Sequence, residues 1–104
     1  MNLNLDIDVI RLDGVEARRH IDKGDMLVID VRSAEEFARG ALPGAMNVPW
    51  PRLRPVKAVA PDTPILVYCD TGARSRKAAE ALLAFGFTRV YTMGAMAKYY
   101  RSAG

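Results

Sequence analysis

The segment YCDTGARSRK (residues 68–77) sets the chain's single cysteine, Cys69, between an apolar run, ILVYC, and a helix-forming run that starts near Ser75. A strand that stops at Cys69 and a helix that begins near Ser75 force the backbone between them to curl. Gly72 permits a positive φ there and, lacking a Cβ, lets a ligand approach the main chain. The amides of Asp70, Thr71, Gly72, Ala73, Arg74 and Ser75 can then converge, as the unpaired N–H groups of a helix start do. Such a nest binds anions, and the helix dipole adds to it. A thiol in that field is expected to shift toward thiolate. A thiolate is both a nucleophile and a group that can carry a transferred atom as a covalent intermediate. The bland alternative is a small buried hydrophobe ending a strand, the usual fate of a lone cysteine.

The other candidate groups are weaker. DVR (residues 30–32) follows a second apolar run, and ligands gather beyond the carboxyl ends of strands in open α/β sheets. Asp30 and Arg32 are therefore read two ways: as substrate contacts, or as structural ion pairs, Asp30 with Arg74 or Arg32 with Glu36. Arg74 divides evenly between binding substrate and bracing the loop. His20 falls on a polar helix and is read as solvent-facing, Trp50 as packing. Met93 and Met96 read as core or rim, and Tyr99 and Tyr100 as anchors of the C-terminus. One histidine and one cysteine cannot build a usual zinc site, and neither a metal nor an organic cofactor is indicated.

The elements that must position these groups follow from pattern. DIDVI (residues 6–10) alternates as a short strand. Asp13 with Glu16, and Ser33 with Glu36, have capping-box spacing and open two helices, the first ending at Gly24. MLVIDV (residues 26–31) and ILVYC are apolar enough to be central parallel strands covered on both faces. LPGAMNVP turns at Pro43-Gly44 and then runs extended. Pro51 and Pro55 allow only a short helix between residues 50 and 60. Ala78, Ala79, Leu82 and Leu83 give the helix after Cys69 its apolar face, Arg76 and Glu80 form an i,i+4 pair, and Gly86 is its stop. TRVYTM is a last strand and MAKYY a terminal helical turn. Strands alternate with helices throughout, which predicts one α/β domain over residues 1–104 with a mostly parallel sheet.

Composition agrees. Half the residues are hydrophobic and 26% are charged, ordinary for a folded domain. The net charge of +3 is mild, and no basic block interleaved with aromatics argues for nucleic acid. Arg52, Arg54 and Lys57 read as solvated surface, while Arg74, Arg76 and Lys77 could also raise the potential felt by an anionic substrate. No run approaches the roughly 20 apolar residues of a membrane span. The N-terminus does not resemble a secretory signal, which favours the cytoplasm, with the periplasm open if a leader was removed.

The segments VIDVRSAEEFARGALPGAMNVP and ILVYCDTGARSRKAAEALLAFGF together resemble the rhodanese-like domain family. A D-V-R…E-F…G…P-G-A-x-N-[IV]-P stretch there precedes a C-x-x-G-x-R-S active loop. Those positions are Asp30, Val31, Arg32, Glu36, Phe37, Gly40, Pro43, Gly44, Ala45, Asn47, Val48 and Pro49, then Cys69, Gly72, Arg74 and Ser75. The resemblance implies a three-layer α/β/α fold and a thiosulfate sulfurtransferase. Cys69 would take the outer sulfur of a small anionic donor, release sulfite and pass the sulfur from its persulfide to cyanide, a thiol or a protein acceptor. The loop amides would stabilise the developing charge, and Arg74 or Arg32 would hold the sulfonate. The related phosphatases and arsenate reductases place arginine six positions after cysteine; here Arg74 is five positions on, which favours sulfur. This chain departs from the family in having Ala41 where a histidine is common, and MGAMAKYY where Gly-Gly and an aromatic are common. A persulfide carrier with little turnover of small donors is the competing function.

Overall fold

A computed structural model of the chain describes residues 9–102. The elements run β1 (Ile10–Arg11), α1 (Gly14–Lys23), β2 (Leu27–Asp30), α2 (Ala34–Ala38), β3 (Met46–Asn47), a 3-10 turn (Arg54–Ala58), β4 (Ile65–Cys69), α3 (Ala73–Ala84), β5 (Val90–Ala95) and α4 (Ala97–Arg101). The strands form one sheet in the order β1-β5-β4-β2-β3, and every pairing is parallel. Of the strand expected over residues 6–10, only the end is described, and it continues to Arg11; residues 6–8 lie outside the described residues.

Local chemistry starts both early helices where the sequence places them. Asp13 Oδ1 accepts from Glu16 N–H at 2.8 Å, and Ser33 Oγ accepts from Glu36 N–H at 3.1 Å. In each case the glutamate reaches back to the cap residue's own N–H, closing the capping box. Gly24 ends α1 with φ of 74°, where a side chain would be strained. The segment after Pro51 forms a 3-10 turn and not an α-helix, with proline at its start.

The sheet divides the interior into two cores, and the period of two along β4 distributes its residues between them. Ile65, Val67 and Cys69 face α3 and the 3-10 turn, packing with Ala78, Ala79, Leu82 and Val56. Leu66 and Tyr68 face α1 and α4, packing with Ala17, Ile21, Met93 and Tyr99. Helices thus cover both faces of an all-parallel sheet, the three-layer α/β/α architecture. β4 is central and buried along its whole length, so Cys69 hangs from a strand covered on both faces. β5 extends two residues past the expected TRVYTM, and a register shift opposite Val67 and Tyr68 carries it there.

Candidate active site

The sulfur of Cys69 sits under its loop as the loop's main acceptor. Gly72 N–H donates to Sγ at 3.0 Å and Ser75 N–H at 3.3 Å. The thiol lies 3.4 Å from Ser75 Oγ, which donates in turn to the Gly72 carbonyl at 3.1 Å. Gly72 is the N-cap of α3, has φ of 99° and offers no side chain to cap the helix. Ser75 is the third residue of that helix, so Sγ accepts the bond that an N-cap oxygen normally would. The helix start is completed by the cysteine itself. Cys69 has no exposed surface. Around it, Asp70, Thr71 and Ala73 are exposed, Gly72 and Arg74 partly buried, and Ser75 buried.

The two arginines are held by carboxylates, though not in the expected pairs. Asp30 binds Arg32 and Glu36 binds Arg74; neither Asp30–Arg74 nor Arg32–Glu36 forms an ion pair. The reason is reach: Asp30 Oδ1 accepts from the Arg32 backbone N–H at 2.9 Å, closing a tight turn that folds the Arg32 side chain back onto the same carboxylate. Arg32 Nε and Nη2 then donate to Asp30 at 3.0 and 2.7 Å, and Nη2 also donates to the Gly40 carbonyl at 2.7 Å. Asn47 Nδ2 donates to the carbonyls of Asp30 and Arg32, both at 3.0 Å, pinning the same turn from β3. Arg74 makes a fork-on-fork contact, Nη1 to Glu36 Oε1 at 2.8 Å and Nη2 to Oε2 at 3.0 Å. That contact ties the cysteine loop to α2.

Glu36 is the site residue that spacing alone hid. Its place in a capping box was legible, but its role as the brace of Arg74 depends on a contact across 38 positions of sequence. The bidentate Arg74 contact, followed by the Ser33 N–H, holds the Glu36 carboxyl far below the usual carboxylate range. A carboxyl with a depressed folded-state pKa stabilises the fold above its unfolded pKa, and that contribution is lost as pH falls through the folded one. Glu36→Gln is therefore expected to lose less melting temperature than the wild type on going from about pH 7 to about pH 3. Equal acid sensitivity of the two proteins would show that the contact does not operate in solution.

A cavity of about 410 Å³ beside the loop forms its mouth, lined by Arg32, Glu36, Arg39, Asp70, Met96 and Tyr100 among others. Met96 therefore belongs to the rim, with its N–H bonded to the Cys69 carbonyl at 2.8 Å, whereas Met93 is fully buried in the core. Tyr99 anchors α4 by donating to Asp22 at 2.6 Å, while Tyr100 is exposed at the mouth. His20 lies on α1 against Asp25 and plays no part here, and Trp50 packs on the core facing α3. A larger cavity of about 620 Å³, lined by Pro51, Arg52, Leu53, Arg54 and Phe85, contains no residue of the loop, so size does not mark the site. Among the described residues, no cluster of His, Cys, Asp and Glu could hold a metal ion, and no helix is long and apolar enough to cross a membrane.

The profile of the rhodanese-like domain family matches residues 14–101, a span that holds both the DVR turn and the cysteine loop. The chain belongs to that family. This rhodanese-like domain is 38% identical over 76 residues to the tRNA sulfurtransferase of Desulfurococcus amylolyticus, a match covering 73% of this chain and 15% of that protein. It is 33% identical over 79 residues to a sulfurtransferase of Allochromatium vinosum, covering 74% of this chain and 73% of that one. Among solved structures it is similar to a rhodanese with anions from E. coli, with a TM-score of 0.65 and 32% identity over 70% of this chain and 89% of the other. The rhodanese-like domain thus spans a small part of one relative and about three quarters of another. Sulfur transfer is the chemistry this family carries.

Proposed function

We propose that this rhodanese-like domain moves sulfane sulfur from thiosulfate, or a similar anionic donor, to a thiophilic acceptor through a persulfide on Cys69. The observation that carries the reading is the pair of amides, Gly72 N–H and Ser75 N–H, aimed at Sγ. Fixed donors at the position where negative charge sits on sulfur stabilise thiolate and persulfide alike, without reorganising during the reaction. In the first half-reaction the Cys69 thiolate attacks the outer sulfur of thiosulfate. An S–S bond to Cys69 forms, the donor's S–S bond breaks, and its electron pair leaves with sulfite. In the second, cyanide or a thiolate attacks the outer persulfide sulfur, and the electron pair of the breaking bond returns to Cys69. No net oxidation occurs over the cycle.

Asp70, Thr71, Gly72, Ala73, Arg74 and Ser75 supply the cradle in this reading. Arg74 and Arg32 act as braces of its frame, since both guanidinium groups are already engaged by carboxylates. The short loop, with Arg74 five positions after Cys69, favours sulfur over phosphate. A second reading, a persulfide carrier for a protein acceptor, is supported by the match to only 15% of a tRNA sulfurtransferase, in which the similar segment is one part of a larger protein.

Incubation of the reduced protein with thiosulfate, followed by intact mass measurement and addition of cyanide, tests both. A gain of one sulfur atom removed by reductant, with sulfite release and steady thiocyanate formation, is expected. An adduct without turnover would select the carrier reading. No adduct on folded, reduced protein would overturn the persulfide, and saturable hydrolysis of an aryl phosphate would move the site to phosphate chemistry.

A further inference from the structure

The two flanks of the catalytic loop differ in charge. On the side of β2 and α2, the mouth holds two carboxylates, Glu36 and Asp70, against Arg32 and Arg39. On the side of β5 and β1 lies a separate cleft of about 410 Å³ whose charged lining residues are Arg11, Arg76 and Lys98, with no carboxylate among them. The two cavities share no lining residue. Arg76 is engaged by Glu80 at 3.4 Å on the outer face of α3. Arg11 and Lys98 have no carboxylate partner among the described residues. The Lys98 ammonium lies over the cleft floor, 3.5 Å from where a Cβ on Gly94 would stand. Gly94 has φ of 78° and Gly72 φ of 99°, so both positions keep the floor bare of side chains. Gly72 also carries the amide that donates to Cys69 Sγ at 3.0 Å, which puts the cleft one hydrogen bond from the sulfur.

We propose that this cleft is a small-oxyanion subsite in which Arg11 and Lys98 bind the anionic end of a sulfur-transfer substrate. Its assignment to a substrate rests on the sulfurtransferase reading; its affinity for an anion does not. Like charges gathered with no carboxylate among the described lining residues repel one another, and a bound dianion relieves that repulsion while gaining two direct attractions. A balanced mouth offers a dianion no such gain. The shared chemistry is a sulfonate or carboxylate group, which either the donor or an anionic thiol acceptor could supply.

Arg11→Gln/Lys98→Gln is the test, with Lys98→Gln alone should the double variant melt early. Sulfite, titrated into reduced wild-type protein, should shift the backbone amide resonances of residues 71, 72 and 94 saturably. The double variant should bind it about tenfold more weakly, and added salt should narrow the difference. Two kinetic arms then identify the substrate. A tenfold slower persulfide loading from thiosulfate assigns the cleft to the donor. Slower discharge of preformed persulfide to mercaptosuccinate, with discharge to uncharged 2-mercaptoethanol unchanged, assigns it to an anionic acceptor. Unchanged sulfite affinity, or weakened affinity with both arms unchanged, overturns the proposal. A wild type that binds sulfite yet transfers no sulfur would overturn the sulfurtransferase reading and leave the anion site standing.

Discussion

Cys69→Ser is expected to take up no sulfur from thiosulfate and to lower thiocyanate formation by on the order of 10⁴-fold or more, the scale of losing a covalent nucleophile. The substitution is informative because it separates chemistry from folding. Sγ accepts the Ser75 N–H bond in place of an N-cap oxygen, and a serine Oγ can accept the same bond. A hydroxyl at position 69 can therefore receive the same amides, keep α3 capped and leave the loop closed. What it cannot do is hold a sulfur atom in a stable, exchangeable bond. The melting temperature should stay close to that of the wild type while the mass gain and the turnover both disappear. Cys69→Ala is expected to lose activity equally and stability more, because the Gly72 and Ser75 amides are left without their acceptor. Folded Cys69→Ser protein that retains activity within about tenfold of the wild type would remove Cys69 from the mechanism and return it to the core.

Features encoded over three or four residues were legible without the structure. The boxes Asp13–Glu16 and Ser33–Glu36, the stop at Gly24 and the Arg76–Glu80 pair are all local, so spacing determines them. The buried strands could also be read, since β2 and β4 lie covered on both faces and carry nearly continuous apolar runs. Strand order was not legible. β1 beside β5 joins the first described strand to the last, and nothing in Ile10–Arg11 or Val90–Ala95 names its partner. The cleft over these two strands could not be anticipated for the same reason: Arg11, Arg76 and Lys98 are scattered in sequence and meet only through that pairing.

The site was half legible. Cys69, Gly72 and Ser75 are close in sequence, and a strand-to-helix turn of that length leaves the amides few directions to point. The exchange of ion-pair partners shows where such reasoning stops. Either of the two ways to pair Asp30 and Glu36 with Arg32 and Arg74 satisfies charge. The choice is made by the Arg32 backbone N–H binding Asp30 Oδ1, a feature of the turn's shape and not of its composition. Once Arg32 is committed, Glu36 is left for Arg74, and the loop acquires its brace to α2.

Asp30→Ala is expected to destabilise the domain by about 3–5 kcal/mol, the cost of breaking a buried ion pair by removing one member. Asp30 is wholly buried and the Arg32 side chain is only 8% exposed, so the guanidinium left behind has little access to water. The loss also releases the Arg32 N–H, and with it the turn that Asn47 and Gly40 hold from either side. Against a total of about 5–15 kcal/mol for a domain of this size, such a loss removes a large share of the stability. It should lower the melting temperature by more than about 10 °C. Urea unfolding of the single variants and of Asp30→Ala/Arg32→Ala measures the coupling. The double variant should recover stability relative to Asp30→Ala, because no unpaired charge remains buried. A loss below about 1 kcal/mol for Asp30→Ala would mean that water reaches Arg32 freely. The DVR turn would then be a surface feature, and the brace at Arg74 would have to hold the loop without a rigid frame beneath it.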